Sequence, residues 1–279
     1  MKKILLIATF ALSASVVLAQ DEMTSKKGTP ILPEVGDYWI GVDAVPFLDY
    51  FGNLMNSGNS APSWDFTNSG MAITGGMVKD ANTSYRGKIR LGIGSNKVNY
   101  STDNDATTDP NDQSFDEAKT SSNNILLGAG IQKNRGKGRL RGLYGAEAYL
   151  MFGGGKTTYS YANAYSATNT NPSSGIPGQN GANPRTTESK NGSMFGFGVR
   201  SFVGVEYFFA PKMSVAGEFG WGLAISSTGE GEVSQEGWDP TLNSGAGGVT
   251  SSSSKTGKSS SFGFDTDNSG GSIILSFYF

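Results

Sequence analysis

Side chains able to do chemistry are few in this chain. It has no histidine and no cysteine, which removes the commonest general base, the commonest zinc ligand, thiol nucleophiles, disulfides and thiolate metal sites. The charge it does carry falls in alternating surroundings. Arg86, Lys88 and Arg90 are spaced by two, and Asp43, Arg141, Glu147, Arg200, Glu206 and Glu218 lie in stretches of the same kind. These four acids and five bases could select anions in a pore or cancel in an ion-paired network. Buried charge without a partner is costly, so pairing is expected in either case.

Three other groupings invite a chemical reading. Asp103, Asp105, Asp109, Asp112, Asp116 and Glu117 form an acidic cluster. Carboxylates at alternate positions can ligate calcium, but the central glycine and bidentate glutamate of a calcium-binding loop are missing. The choice lies between a solvated acidic loop and a bound divalent cation. Gly153-Gly154-Gly155-Lys156-Thr157 ends like a phosphate-binding loop, yet Leu150 occupies the position of its first glycine. A flexible shoulder where a strand enters its loop fits this run better. Tyr159, Tyr161, Tyr165 and Trp238 are either partner contacts or ordinary isolated exposed aromatics.

The elements that must position these groups are strands. Apolar residues recur with period two in eight segments, near 39–48, 70–78, 85–94, 124–132, 140–152, 195–208, 213–225 and 272–279. In the third, Tyr85, Ile89, Leu91 and Ile93 alternate with Arg86, Lys88 and Arg90. The connections sort by parity. Long polar stretches (49–69, 101–123, 153–194, 227–270) follow odd segments, and short turns (79–84, 133–139, 210–212) follow even ones. A transmembrane up-and-down barrel has this pattern, with turns on the periplasmic side and loops outside. One face of each strand is aliphatic or aromatic and suited to lipid, while the other carries Gly, Ser and charge, the reverse of a soluble barrel. Tyr38, Trp39, Tyr85, Tyr207, Phe208, Phe277 and Phe279 cluster at strand ends as interfacial girdles do.

The expected fold class is therefore all-β: an eight-stranded antiparallel up-and-down transmembrane β-barrel with long extracellular loops. Ten strands are the alternative, if Phe262-Gly263-Phe264 helps form another hairpin. The long loops around 153–194 and 227–270 are rich in Ser, Thr, Asn and Gly, and that composition reads as mobile.

Lys2 and Lys3, the apolar or small run to Leu18, and Val17-Leu18-Ala19 before Gln20 mark residues 1–19 as a secretory signal peptide. Residues 20–37 form a short periplasmic extension and 38–279 the barrel domain. Removing Lys2 and Lys3 with the leader leaves 20 basic and 24 acidic residues, a net charge of −4. That balance, with only 16% charged residues, excludes a basic nucleic-acid binder.

The signal peptide, the eight alternating strands and the final Leu275-Ser276-Phe277-Tyr278-Phe279 resemble the small eight-stranded outer-membrane β-barrel proteins of the OmpA-barrel and OmpX type. The resemblance implies that Leu275, Phe277 and Phe279 act as an assembly signal read by the barrel-assembly machinery. Where such families often carry glycine five residues before the end, this chain has Ile274. It further implies an integral protein of a Gram-negative outer membrane with both termini periplasmic. The best-known enzymes on such barrels use a catalytic histidine, absent here, so no enzyme, cofactor or metal is expected.

The expected function is a non-catalytic surface or structural interaction module. It would bind a partner or the lipopolysaccharide layer, or serve as an accessory subunit of a larger outer-membrane complex. The alternative is a narrow channel for small solutes or apolar molecules, as in OmpW-like barrels, which rests on the glycine-lined interior.

Overall fold

The computed structural model describes residues 23–43, 72–109, 111–266 and 272–279. The expected leader 1–19 and the first long connection, 49–69, lie outside them, as does the Asp43 side chain. Twelve strands form one antiparallel sheet: β1 (Tyr38–Asp43), β2 (Ile73–Asp80), β3 (Thr83–Asp103), β4 (Gln113–Arg135), β5 (Leu140–Ser160), β6 (Arg185–Lys190), β7 (Met194–Ala210), β8 (Met213–Thr228), β9 (Glu232–Asp239), β10 (Gly248–Lys255), β11 (Ser259–Thr266) and β12 (Ser272–Tyr278). Among the described residues, no helix is long and apolar enough to cross a membrane.

The pairings close a ring through β1, β2, β3, β4, β5, β7, β8 and β12, with β12 returning to β1. The other four strands prolong its paths. β6 and β7 both pair with β5, β6 at Lys156 to Thr158 and β7 from Gly153 down to Leu140. β11 pairs with Trp221 to Thr228 of β8, directly above the stretch that β12 occupies. Phe262-Gly263-Phe264 therefore extends the C-terminal path along β8 and lies outside the ring of eight pairings. Glycine permits the breaks at 191–193 and 229–231. A Cβ on Gly192 would lie 1.9 Å from the Gly229 carbonyl oxygen, so only a residue without a side chain fits that approach.

Within the stretches read as mobile loops lie strands β6, β9, β10 and β11. Their composition cannot bury an apolar core. A backbone ladder makes no such demand, however, and the long β3, β4 and β5 supply edges for them to continue.

The side-chain faces are inverted relative to a water-soluble protein. Arg86, Gln132, Glu147, Glu206, Ser214 and Glu218 are buried inside the ring, while Ile89, Leu91, Ile131, Phe197, Val203 and Ile225 are exposed outside it. On β5 the outward apolar series runs from Leu140 to Phe152. That is about 40 Å of strand, or about 30 Å along an axis inclined at ~40°.

Two aromatics read as girdle residues face inward instead: Trp39 is 6% exposed and Phe208 is 0%. Parity places them there. Trp39 shares a face with Gly41, and Phe208 shares one with Phe202 and Glu206. Of the terminal residues, Phe277 and Phe279 are exposed on the outer face and Leu275 is half-buried there.

Candidate functional site

The charged residues of β3, β5, β7 and β8 converge on one layer inside the ring. Period two puts each on the inner face, and the register brings Glu147 opposite Arg200. Arg86 donates to Glu218 through both Nη atoms, at 2.5 and 3.0 Å, and its Nε lies 3.3 Å from Glu147 Oε2. Arg200 Nη1 donates to Glu147 Oε1 at 3.2 Å and stands 3.6 Å from Glu218 Oε2. Lys88 Nζ reaches Glu147 at 4.0 Å. Phe202 lies beneath both guanidinium groups, 4.6 Å from Arg86 and 5.3 Å from Arg200.

Glu206 belongs to a second group nearer the short turns, where it accepts from Ser214 Oγ at 2.6 Å and Tyr278 Oη at 2.7 Å. Arg141 donates to the Ala81 carbonyl at 2.8 Å. Arg90 is half-buried on the same inner face, above Lys88.

The interior glycines receive large side chains. A Cβ on Gly145 would meet the Phe202 ring at 2.7 Å, one on Gly204 the Leu143 side chain at 2.9 Å, and one on Gly198 the Tyr149 ring at 2.3 Å. Gly41 likewise seats Ile274 at 2.7 Å, so the glycine absent at position 274 is supplied by the adjacent strand. Leu143, Phe202, Ala216 and Ile274 make a buried apolar layer. One void, between Trp39, Gln132, Glu206, Glu218 and Tyr278, measures about 10 Å³, at most the room for one water. At these positions glycine is a socket for a neighbouring side chain.

The segment ahead of β1 closes the short-turn end. Ile31, 1% exposed, packs with Trp39, Val78, Phe208 and Tyr278, and Met23 and Leu32 lie against them. The Lys212 amide donates to the Ile31 carbonyl. Its ammonium pairs with Asp37 at 2.8 Å and Glu34 at 3.2 Å, and the Asp37 hydrogen bond raises the Lys212 pKa.

At the opposite end the strands carry an ordered head. Residues 161–184 fold against the inner face of β3 and β4, pinned by carboxylates of the acidic cluster. Asp116, fully buried, accepts from the Ala162 amide at 2.8 Å, Ser174 Oγ at 2.6 Å and the Gly175 amide at 3.2 Å. Asp105 accepts from the Ser173 amide and Asn169 Nδ2. Partial burial pushes its carboxyl up, but these hydrogen bonds outweigh that and hold it below the usual range.

The other acids of the cluster have protein partners too. Asp103 accepts from Gln113, Asp109 from Asn111, and Asp112 from Asn104 and Thr107, while Glu117 pairs with Lys97. Among the described residues, no three His, Cys, Asp or Glu side chains gather to hold a metal ion.

The residues offered as partner contacts divide. Tyr161 and Tyr165 hold Arg185 between their rings, 4.0 and 4.6 Å from its guanidinium, and Tyr165 is buried. Burial raises both phenol pKa values, so both remain protonated donors, to the Thr186 and Ala182 carbonyls. Arg185 also pairs with Glu236 at 2.7 Å. Trp238 is half-buried against Gly247.

Gly153 to Thr157 is no flexible shoulder. It continues β5, in register with Asn124 to Thr120 of β4, because neighbouring strands on both sides supply its backbone partners. Arg185 belongs to no motif or alternating segment of the sequence. Its signal was the lone arginine among the tyrosines of a polar stretch. Compared with protein-family models, with curated proteins and with solved structures, the chain matches none.

Proposed function

We propose that this chain is an integral β-barrel of a Gram-negative outer membrane, eight-stranded and up-and-down, and that it works without catalysis as a surface interaction module. The observation that carries this is the pairing of an outward apolar face, about 30 Å tall, with an interior of paired charge. A hydrocarbon core of similar thickness is the solvent such a surface needs. The short-turn end and both termini then lie in the periplasm, and the head formed by β3–β6, β9, β10 and residues 161–184 stands outside. Surrounding lipid and lipopolysaccharide are its constant partners, and the barrel-assembly machinery acts on its C-terminal strand. The hydrogen-bonded head suits docking onto a larger outer-membrane protein as an accessory subunit.

The channel alternative depended on glycine lining the lumen. Those glycines hold Phe202, Leu143, Tyr149 and Ile274, which weighs against it.

The test is purification of the tagged protein from its own outer membrane in mild detergent, followed by mass spectrometry. Stoichiometric recovery of one large membrane protein is the expected result for an accessory subunit. Recovery of the barrel alone, together with solute flux through it in reconstituted bilayers, would overturn the reading.

A further inference from the structure

Strand register sets four lysines in a row on the outer face. Lys97 stands opposite Lys119 across β3 and β4, and Lys156 opposite Lys190 across β5 and β6. The row continues between β4 and β5, where Lys119 is opposite Thr158 and Lys156 opposite Ser121. Like charges directly opposed across a ladder repel, and here two such pairs lie side by side. Glu117 neutralises Lys97 and Glu188 neutralises Lys156. Lys119 and Lys190 are both exposed; Glu232 of β9 stands directly opposite Lys190 across the ladder, while the strand residues facing Lys119 are Lys97 and Thr158.

Lys119, Lys156 and Lys190 line a groove of about 490 Å³ whose other walls include Ser121, Asn123 and Ser193. The outward apolar face begins just below, with Ile125 on β4, Phe152 on β5 and Phe195 on β7. Lys156 is four residues above Phe152, about 13 Å along the strand, and a lysine stem can cover part of that drop. The charge is confined to one wall, since at the head end of β8 and β11 the facing outward residues are Ser227 and Ser260.

We propose that this groove seats a phosphate group of an anionic outer-leaflet glycolipid, whose acyl chains lie on Ile125, Phe152 and Phe195 beneath it. The proposal rests on the membrane-spanning reading above. Charge complementarity and continuity with the apolar face select a lipid phosphate over a soluble anion: the headgroup meets the exposed ammonium groups of Lys119 and Lys190 while its chains stay in hydrocarbon. Each lysine held near an anionic membrane surface is worth roughly fivefold in affinity, so losing Lys119 and Lys190 together should cost about thirtyfold.

The test uses the full chain in phosphatidylcholine nanodiscs containing a few mole per cent of bisphosphorylated lipid A. Lipid A retained per protein is then measured after transfer to detergent. Wild type is expected to hold lipid A and to lose it when the lipid A is dephosphorylated. K119Q/K190Q should hold it about thirtyfold more weakly while keeping its folded-band mobility in cold detergent gels, and K119R/K190R should hold it as wild type does. Equal retention by K119Q/K190Q, or of the dephosphorylated lipid, would overturn the proposal. So would complete displacement by 10 mM inorganic phosphate (~10 mM being ample for a simple phosphate site), which would assign the groove to a soluble anion. A chain that inserts but retains no lipid A overturns this proposal alone, whereas a chain that never inserts overturns the membrane reading with it.

Discussion

Replacing Arg86 with methionine distinguishes a packed charged interior from a wet one. Arg86 makes a two-pronged contact with Glu218 at 2.5 and 3.0 Å and an ion pair with Glu147 at 3.3 Å, with the Arg86 and Glu218 side chains each 2% exposed. The layer holds Arg86, Arg200 and Lys88 against Glu147 and Glu218. Without Arg86, Glu147 keeps two cations, but Glu218 is left with Arg200 alone at 3.6 Å. Breaking a buried pair by removing one partner costs about 3–5 kcal/mol. Because Arg200 stays near, R86M should fall near the lower bound, about 3 kcal/mol, a factor of over one hundred in the folding equilibrium. R86M/E218M removes the orphaned carboxylate as well and should recover to within about 1–2 kcal/mol of wild type. The assay is urea unfolding of the refolded chain in lipid vesicles, followed by tryptophan fluorescence and by folded-band mobility in cold detergent gels. A cost below about 1 kcal/mol for R86M is the value for solvated pairs. It would refute the dry interior and reopen the channel reading.

Phe202→Ala should cost about 3–5 kcal/mol, because its ring fills the Gly145 socket and lies under two guanidinium groups; the same unfolding assay reads it, and a cost under ~1 kcal/mol would contradict the socket packing. Ile31→Asp should release the segment before β1, so that trypsin cuts at Lys26 or Lys27 while the ring stays folded and bilayers show no new conductance; a conducting variant would mean that this segment alone seals the interior. Asp116→Asn should loosen residues 161–184, because one carboxylate there accepts three hydrogen bonds; faster amide exchange confined to that segment is the expected readout, and unchanged exchange counts against the pinning role. The Asp105 carboxyl is held below its ordinary 3.8 in the folded chain. Its stabilisation is therefore complete above that value and lost as pH falls through the lower folded one. Head proteolysis by pepsin should rise below about pH 4, and D105N should remove that pH step; a step unchanged in D105N would assign it to another group.

What the sequence made legible was everything governed by period two. Arg86, Lys88, Arg90, Glu147 and Glu218 could be assigned to one face because their neighbours Tyr85, Ile89 and Leu150 were apolar, and the structure places them there. Trp39 and Phe208 face inward because parity outweighs residue type: an aromatic at a strand end looks like a girdle residue until its alternation is counted. The head was illegible for a different reason. Ser251 to Ser254 carry no amphipathic signal, and what orders them is backbone pairing with Val233 to Glu236, a non-local consequence of how far β3, β4 and β5 extend. The Arg185 cluster depends likewise on bringing Tyr161, Tyr165 and Glu236 together across more than fifty residues.

The lysine row is illegible in the sequence for the same reason. Lys97, Lys119, Lys156 and Lys190 are separated by 22, 37 and 34 residues in sequence, and nothing local relates them. Only the register between neighbouring strands turns them into one surface. A register slip of one residue on β4 would turn Lys119 inward and Asp116 outward, so it would destroy the groove and the head's anchor together. Register is therefore the property on which both depend: the outward Lys119 and the inward Asp116, which accepts from Ala162, Ser174 and Gly175, sit on opposite faces of one strand.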